Sequence, residues 1–161
     1  MLDRAKGSVP FDAERLGEIL AAHAGRRGAL LPILHDIQVE FGMVDDAMVP
    51  SIAEALNLSR ADVHGVLTFY HDFRRAPAGR TVVKLCSAEA CQAAGGRALQ
   101  REAETVLGVP MKATSGDGAV TLEPVYCLGL CSVAPAAMVN GRIHGRLTGD
   151  RLRTILGEAV R

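Results

Sequence analysis

The chain carries no net charge: 18 lysines and arginines balance 18 aspartates and glutamates over 161 residues. A general nucleic-acid binder or a polybasic membrane anchor would need a cationic excess, and the balance argues against both. It hides an asymmetry, because residues 1–78 hold 8 basic and 11 acidic side chains and residues 79–161 hold 10 and 7. Tryptophan is absent, and three of the six other aromatics fall within residues 69–73. The start, Met1 to Gly7, lacks the apolar stretch of a signal peptide. The longest uncharged run, the 18 residues Pro124–Gly141, approaches the length of a membrane span, but its two prolines, two glycines, two cysteines and Asn140 exclude that reading. A cytoplasmic protein without direct membrane insertion is expected, and in that compartment thiols stay reduced. Also missing are a GxGxxG fingerprint, a phosphate loop and a nucleophile–base pair. The chain alone is therefore not expected to bind a nucleotide or turn over a substrate.

What is present reads as two halves. Asp12 can cap a helix carrying Leu16, Ile19, Leu20 and His23 on one face, broken at Gly25–Gly28. A second helix spans Leu30–Phe41 and stops at Gly42. Asp45-Asp46 can start a third running to Leu56, and Ser59-Arg-Ala-Asp62 is a capping-box-like start for a fourth through Phe69. Four short helices make a small bundle. Arg75–Gly79 then supplies Pro and Gly as a linker, after which the periodicity changes. Thr81–Leu85 reads as a buried strand, about Ala93–Leu107 as one helix, Ser115–Gly118 as a turn and Ala119–Val125 as a strand. Ala137–Val139 and Ile143–Arg146 flank the hairpin signal Asn140-Gly141, and Thr148 can cap a last helix. The expectation is an α+β chain: an N-terminal helical domain, residues 1–78, followed by a sheet domain, residues 79–161, with helices packed on the sheet.

The chemistry sits in four cysteines: Cys86-x4-Cys91, 35 residues, then Cys127-x3-Cys131. Each pair follows a predicted strand, so two strand ends on one edge of a sheet would bring the pairs together. With no C-x-x-C, a thioredoxin-type dithiol is disfavoured. A [2Fe–2S] cluster needs two thiolates per iron, which two separate pairs supply. A structural zinc site also accepts four thiolates, although x4 and x3 are loose for its knuckles. Buried cysteines acting as small hydrophobes are common in general, but four of them paired in two Gly/Ala loops fit that reading poorly.

Cys86-x4-Cys91 together with Cys127-Leu-Gly-Leu-Cys131-Ser-Val-Ala-Pro135 resembles the thioredoxin-like [2Fe–2S] subunit that accompanies the flavin subunit of NADH:quinone oxidoreductase. The resemblance runs from about Leu31 to Leu156 and includes Ile37-Gln38, Phe69-Tyr70-x2-Phe73, Pro77-x-Gly79 and Gly116-Asp-Gly118. Within that family, Glu89–Gly96 and Asn140–Arg146 look most like the γ subunit of NAD-dependent formate dehydrogenase. The acidic, Tyr-containing stretch that many quinone-reductase forms carry near this hairpin is absent here.

The resemblance implies a thioredoxin-like α/β domain with a [2Fe–2S] cluster on Cys86, Cys91, Cys127 and Cys131. It implies a non-catalytic electron-transfer subunit of an NAD-dependent oxidoreductase, exchanging single electrons with FMN. FMN and NAD are expected only in an NADH-binding flavoprotein partner. In the formate dehydrogenase branch a molybdenum-containing, formate-oxidising subunit would belong to the same complex. The equivalent subunit of NADH:quinone oxidoreductase or of an NAD-linked hydrogenase is the alternative, and a zinc-stapled interaction module is the reading from another class.

Other residues carry weaker signals. Asn57–Leu67 has the outline of a helix-turn-helix, but its second helix offers only Arg60 and His64 to a groove. His144 follows the cysteine loops, but four thiols leave no need for it as a ligand. Phe69, Tyr70 and Phe73 suit core packing or docking equally. Arg142, Arg146, Arg151 and Arg153 are expected to be solvated, with a partner phosphate or carboxylate as the other reading.

Overall fold

The computed structural model describes residues 11–160, so the first ten residues of the expected helical domain and Arg161 of the sheet domain lie outside it. Chain contacts separate into two compact units, with the break between Pro77 and Ala78.

The first unit is helical: α1 (Ala13–Ala22), α2 (Leu30–Phe41), α3 (Val49–Leu56) and α4 (Arg60–Phe69). The expected caps form. Asp12 accepts from the N–H groups of Glu14 and Arg15, and Ser59 and Asp62 close a reciprocal capping box, a feature that contributes about 1 kcal/mol. Asp45 caps a short 3-10 turn, Asp46–Met48, which leads into α3 and so starts that helix three residues later than the acidic pair suggested. α2 drives the core: Ile33, Leu34, Ile37 and Phe41 are essentially inaccessible and recur at helical spacing. Burying each such side chain contributes about 1.5–3 kcal/mol. His23 is a core residue, its Nε2 2.7 Å from Asp36.

In the second unit, β1 (Thr81–Cys86), β2 (Ala113–Thr114), β3 (Val120–Val125), β4 (Ala137–Val139) and β5 (Arg142–His144) form one sheet in the order β2-β3-β1-β4-β5. β1 and β3 run parallel, and the other pairs are antiparallel. Val83, Leu85, Val120 and Leu122 face α6 (Gly96–Leu107) and α7 (Gly149–Ala159), whose Leu99, Leu152 and Leu156 complete the core. Gly79 is where the backbone enters this unit. A Cβ there would lie 2.7–2.9 Å from Val120 backbone atoms, and its N–H donates to Thr121 Oγ1.

Three further elements, all in the second unit, depart from the sequence reading. The helix expected from about Ala93 starts three residues later, as α6, and the cysteine loop before it holds a further helix, α5 (Glu89–Ala93), kept separate because Gly95 takes φ +95° and breaks the helical ladder. β2 is an extra two-residue strand, held to β3 across the Ser115–Gly118 turn. β5 ends at His144, not Arg146, because Arg146 turns to φ +49° and gives its N–H to Val133 O. Among the described residues, no helix is long and apolar enough to cross a membrane.

Candidate metal centre

The site follows from the parallel pairing of β1 and β3. Cys86 is the last residue of β1 and lies in register with Val125, the last residue of β3. Both chains therefore leave the sheet at the same end, one into α5 with Cys91 and the other into the loop that carries Cys127 and Cys131. The same end of β1 is tied on its other side, where Cys86 N–H donates to Ala136 O at 3.0 Å, while Ser87 N–H donates to Val125 O at 2.8 Å.

The four thiols are all free. Cys86 and Cys91 are buried with Ala136, flanked by Ala88, Leu128, Leu130 and Ala134, while Cys127 and Cys131 are exposed. The Cys127 and Cys131 sulfurs are 3.8 Å apart. A disulfide would hold them at about 2.05 Å. Two metal–sulfur bonds of about 2.3 Å meeting at a tetrahedral angle would span about 3.8 Å, so the pair is spaced as two thiolates on one metal. Cys127 adopts φ +95°, a conformation that costs a non-glycine residue about 1–3 kcal/mol and that collects at functional sites.

Backbone N–H groups surround the sulfurs. Gly129 N–H donates to Cys127 Sγ at 3.3 Å. Burial opposes ionisation of Cys86, but N–H groups of Ala88, Leu128 and Cys127 and the Cys91 thiol outweigh it and hold its pKa below the ordinary thiol value. Leu128 and Leu130 of the second loop pack against Cys86 and Cys91, so the second loop reaches the first pair. Cys91 is shifted upward, by burial first and then by the Cys86 thiol, with Ala136 N–H opposing. Cys131 is also raised, chiefly by its hydrogen bond and charge interaction with Cys127. Sulfur-directed N–H groups stabilise added negative charge, which is how a protein tunes an iron–sulfur centre.

The donor set fits a two-iron cluster: four free thiols in two pairs, on loops that meet. A tetrahedral zinc would need four sulfurs around one point. Among the described residues, no three His, Cys, Asp or Glu side chains come together closely enough to hold one ion.

The N–H donors at Leu128 and Ala136 escaped the sequence reading, since any residue but proline carries one. Gly96 did leave a signal in the Gly95-Gly96 pair: a Cβ there would lie 2.7 Å from the Cys91 carbonyl oxygen, so α6 can start against the Cys91 turn only without a side chain. Gly145 plays the same part for the second loop, where a Cβ would meet Val133 at 2.8 Å. His144 has no hydrogen bond to a sulfur among the described residues. Burial, Arg151 and Arg142 push its pKa down. Of the aromatic trio, Phe73 packs on the helical core while Phe69 and Tyr70 are exposed, 73% and 43%.

The model of the thioredoxin-like [2Fe-2S] ferredoxin family matches residues 16–160. An NADH-quinone oxidoreductase subunit of Pseudomonas aeruginosa is 36% identical over 130 residues, 81% of this chain and 78% of that protein. Its counterpart in Rhizobium meliloti is 36% identical over 143 residues, 89% of this chain and 85% of that relative. In fold, the chain is similar to part of an NAD+-reducing [NiFe]-hydrogenase, with TM-score 0.69, 24% identity, and coverage of 81% of this chain but 22% of that one. The chain belongs to the thioredoxin-like [2Fe-2S] ferredoxin family and is an electron-transfer iron–sulfur protein similar to subunits of NADH-quinone oxidoreductases.

Proposed function

We propose that Cys86 and Cys91 hold one iron of the [2Fe–2S] cluster and Cys127 and Cys131 the other, and that the chain exchanges single electrons with FMN on an NADH-binding partner. The observation that carries this reading is that the two cysteine-bearing loops leave the adjacent ends of β1 and β3, with Leu128 and Leu130 of the second packed against Cys86 and Cys91 of the first. A cluster held there supplies a one-electron site beside a flavin, which bridges two-electron nicotinamide chemistry and one-electron acceptors. The chain's own residues position sulfur, aim N–H groups at it and keep Cys86 and Cys91 away from water. Residues 79–161 serve as the cluster-bearing domain and residues 1–78 as a helical domain that docks on the partner, in the cytoplasm.

The names of the relatives support a quinone-oxidoreductase-type complex better than the formate dehydrogenase expected from sequence. The formate reading, with its molybdenum-containing partner, rests on Glu89–Gly96, on Asn140–Arg146 and on the absence of the acidic, Tyr-containing stretch near that hairpin. Copurification from the native host followed by mass spectrometry separates the two.

The test of the electron-transfer reading is an anaerobic NADH titration of the cluster-loaded chain, followed by visible absorption and EPR. NADH alone should leave it oxidised, and adding the FMN-bearing partner should bleach it and produce a paramagnetic centre with one unpaired electron. Rapid reduction by NADH without flavin would refute the reading. A chain beginning near Ala76 should still assemble the cluster but bind the partner poorly. Partner binding as tight as that of the full chain would remove the docking role from the helices.

A further inference from the structure

The sheet edge at β5 carries positive charge that the described residues leave uncompensated. Of the four arginines in and after this strand, Arg153 is paired with both Glu102 and Asp150. Arg142, Arg146 and Arg151 are exposed, and none has a carboxylate within ion-pair reach among the described residues. Arg142 and Arg151 both act on the half-buried His144 between them and help to keep it neutral. Three cations of one sign around a single strand edge repel one another, and the fold gains nothing from that crowding by itself.

Their position supplies a reason. β5 is the last strand of the sheet, and the chain beyond it is stitched to the loop of the exposed cysteine pair: Arg146 N–H donates to Val133 O at 2.6 Å and Leu147 N–H to Pro135 O at 3.1 Å. Gly145 lets that approach happen. Tyr126, which follows β3 and opens the cysteine loop, is 72% exposed, and Ile143 on β5 is 57% exposed. The unit that carries the exposed sulfurs thus presents two outward apolar side chains, and the chain after β5, with arginines that have no carboxylate partner among the described residues, is tied to the loop of those sulfurs. Apolar contact within a charged rim is the anatomy of a protein–protein docking surface, and the rim sets encounter rate and orientation more than final affinity.

We propose that Arg142, Arg146 and Arg151 form the rim of a docking surface that brings the Cys127–Cys131 loop against an acidic patch on the flavin-bearing partner. This rests on the electron-transfer reading above for the partner's identity. It gives the Asn140–Arg146 hairpin a role in partner contact and replaces the expectation that these arginines are merely solvated.

The experiment uses the full, cluster-loaded chain and the FMN-bearing chain purified from the native complex. Arg142→Gln, Arg146→Gln and Arg151→Gln are combined, with cluster integrity checked by visible absorption and EPR. Partner affinity and the rate of NADH-driven bleaching are measured at low and high ionic strength. At low salt the combined variant should bind about tenfold more weakly and be reduced more slowly by the same factor. The difference should vanish at high salt, where exposed charges are screened. A triple lysine variant should restore binding, and Arg153→Gln should leave it unchanged.

A combined glutamine variant with wild-type affinity and wild-type salt dependence would overturn the proposal, as would lysines that fail to restore binding. If the wild-type chain bound phosphatidylglycerol vesicles while partner binding ignored the three substitutions, the patch would belong to a lipid surface and the proposal would fall. A wild-type chain that binds the partner in this charge-dependent way but is never reduced through it would sink the electron-transfer reading and leave the docking surface standing.

Discussion

The two cysteine pairs have nearly the same spacing and different surroundings. Cys86 ends a central strand held by β3 on one side and β4 on the other, and Cys91 lies inside α5. They are 6% and 2% exposed. Cys127 and Cys131 sit on a loop at the surface, with Cys127 held at φ +95° and Gly129 at φ +76°. One half is fixed by secondary structure, the other by turn conformation and sulfur-directed N–H groups. Spacing decides whether two thiolates can reach one metal; the element beneath them decides whether water or a partner can approach. On the proposed ligand assignment the buried half would anchor the cluster, and the exposed half would be the face that a partner meets.

The largest test removes sulfur from each half. Cys91→Ala leaves a gap in a dry, inflexible pocket, where neither water nor a neighbouring side chain can take the thiolate's place, so iron and sulfide content should fall below half. Cys131→Ala leaves an open, solvated position, and we expect weakened binding with an altered EPR spectrum of the reduced protein. Equal loss in both variants would break the comparison between halves. Full iron occupancy with an unchanged EPR spectrum in Cys131→Ala would break the ligand assignment itself.

The glycines sharpen the contrast at smaller amplitude. Gly96→Ala puts a methyl 2.7 Å from the Cys91 carbonyl oxygen and 3.0 Å from its carbon, backbone atoms that cannot swing aside. Overpacking of this kind costs about 1–3 kcal/mol, and because the strain falls on Cys91, iron incorporation should drop along with the urea midpoint. At Gly129 an added Cβ meets nothing within 4 Å, so Gly129→Ala suffers only from its positive φ. That costs about 1 kcal/mol and should lower the urea midpoint slightly while leaving iron content near normal. Iron loss of the same size in both variants would show that the exposed loop is held as rigidly as the buried turn.

Much of this arrangement is legible in the chain itself, because it depends on local signals. Ser59 with Asp62, Gly42 after Phe41 and Asn140-Gly141 each mark a terminus or turn through groups within a few residues, and each appears where expected. The two cysteine pairs were equally visible, as each follows an apolar run. The split between α5 and α6 was hidden because Ala93–Gly96 sits in an alanine-rich stretch that favours helix, and only the crowding of Gly96 against Cys91 reveals why the chain breaks there. β2 depends on a ladder with β3 that has no local cue. The difference in burial was hidden for a related reason: both loops are built from small residues, and their exposure follows from what the rest of the unit lays over them.

The smallest effect is a titration, read on the metal-free chain. In Cys131 the hydrogen bond and charge of Cys127 come first among the causes that raise the thiol pKa, ahead of burial and the more distant Cys86. A thiol with a raised pKa in the folded state keeps its proton where the unfolded chain has lost it. Its contribution to folding is therefore complete below the unfolded thiol pKa and disappears as pH rises through the folded value. Cys86 has the opposite sign: its depressed pKa contributes stability above the unfolded value, lost as pH falls through the folded one. Because the two oppose each other in any global unfolding curve, the comparison needs a site-resolved measurement. Alkylation by iodoacetamide reports the thiolate, and mass spectrometry assigns it to a residue. The pH midpoint for Cys131 in the folded chain should lie above that of the same residue in urea, and Cys127→Ser, which removes the neighbouring sulfur, should move it back down. A folded midpoint at or below the unfolded one would mean that the two exposed sulfurs do not share a proton, and the spacing of 3.8 Å between them would lose its chemical meaning.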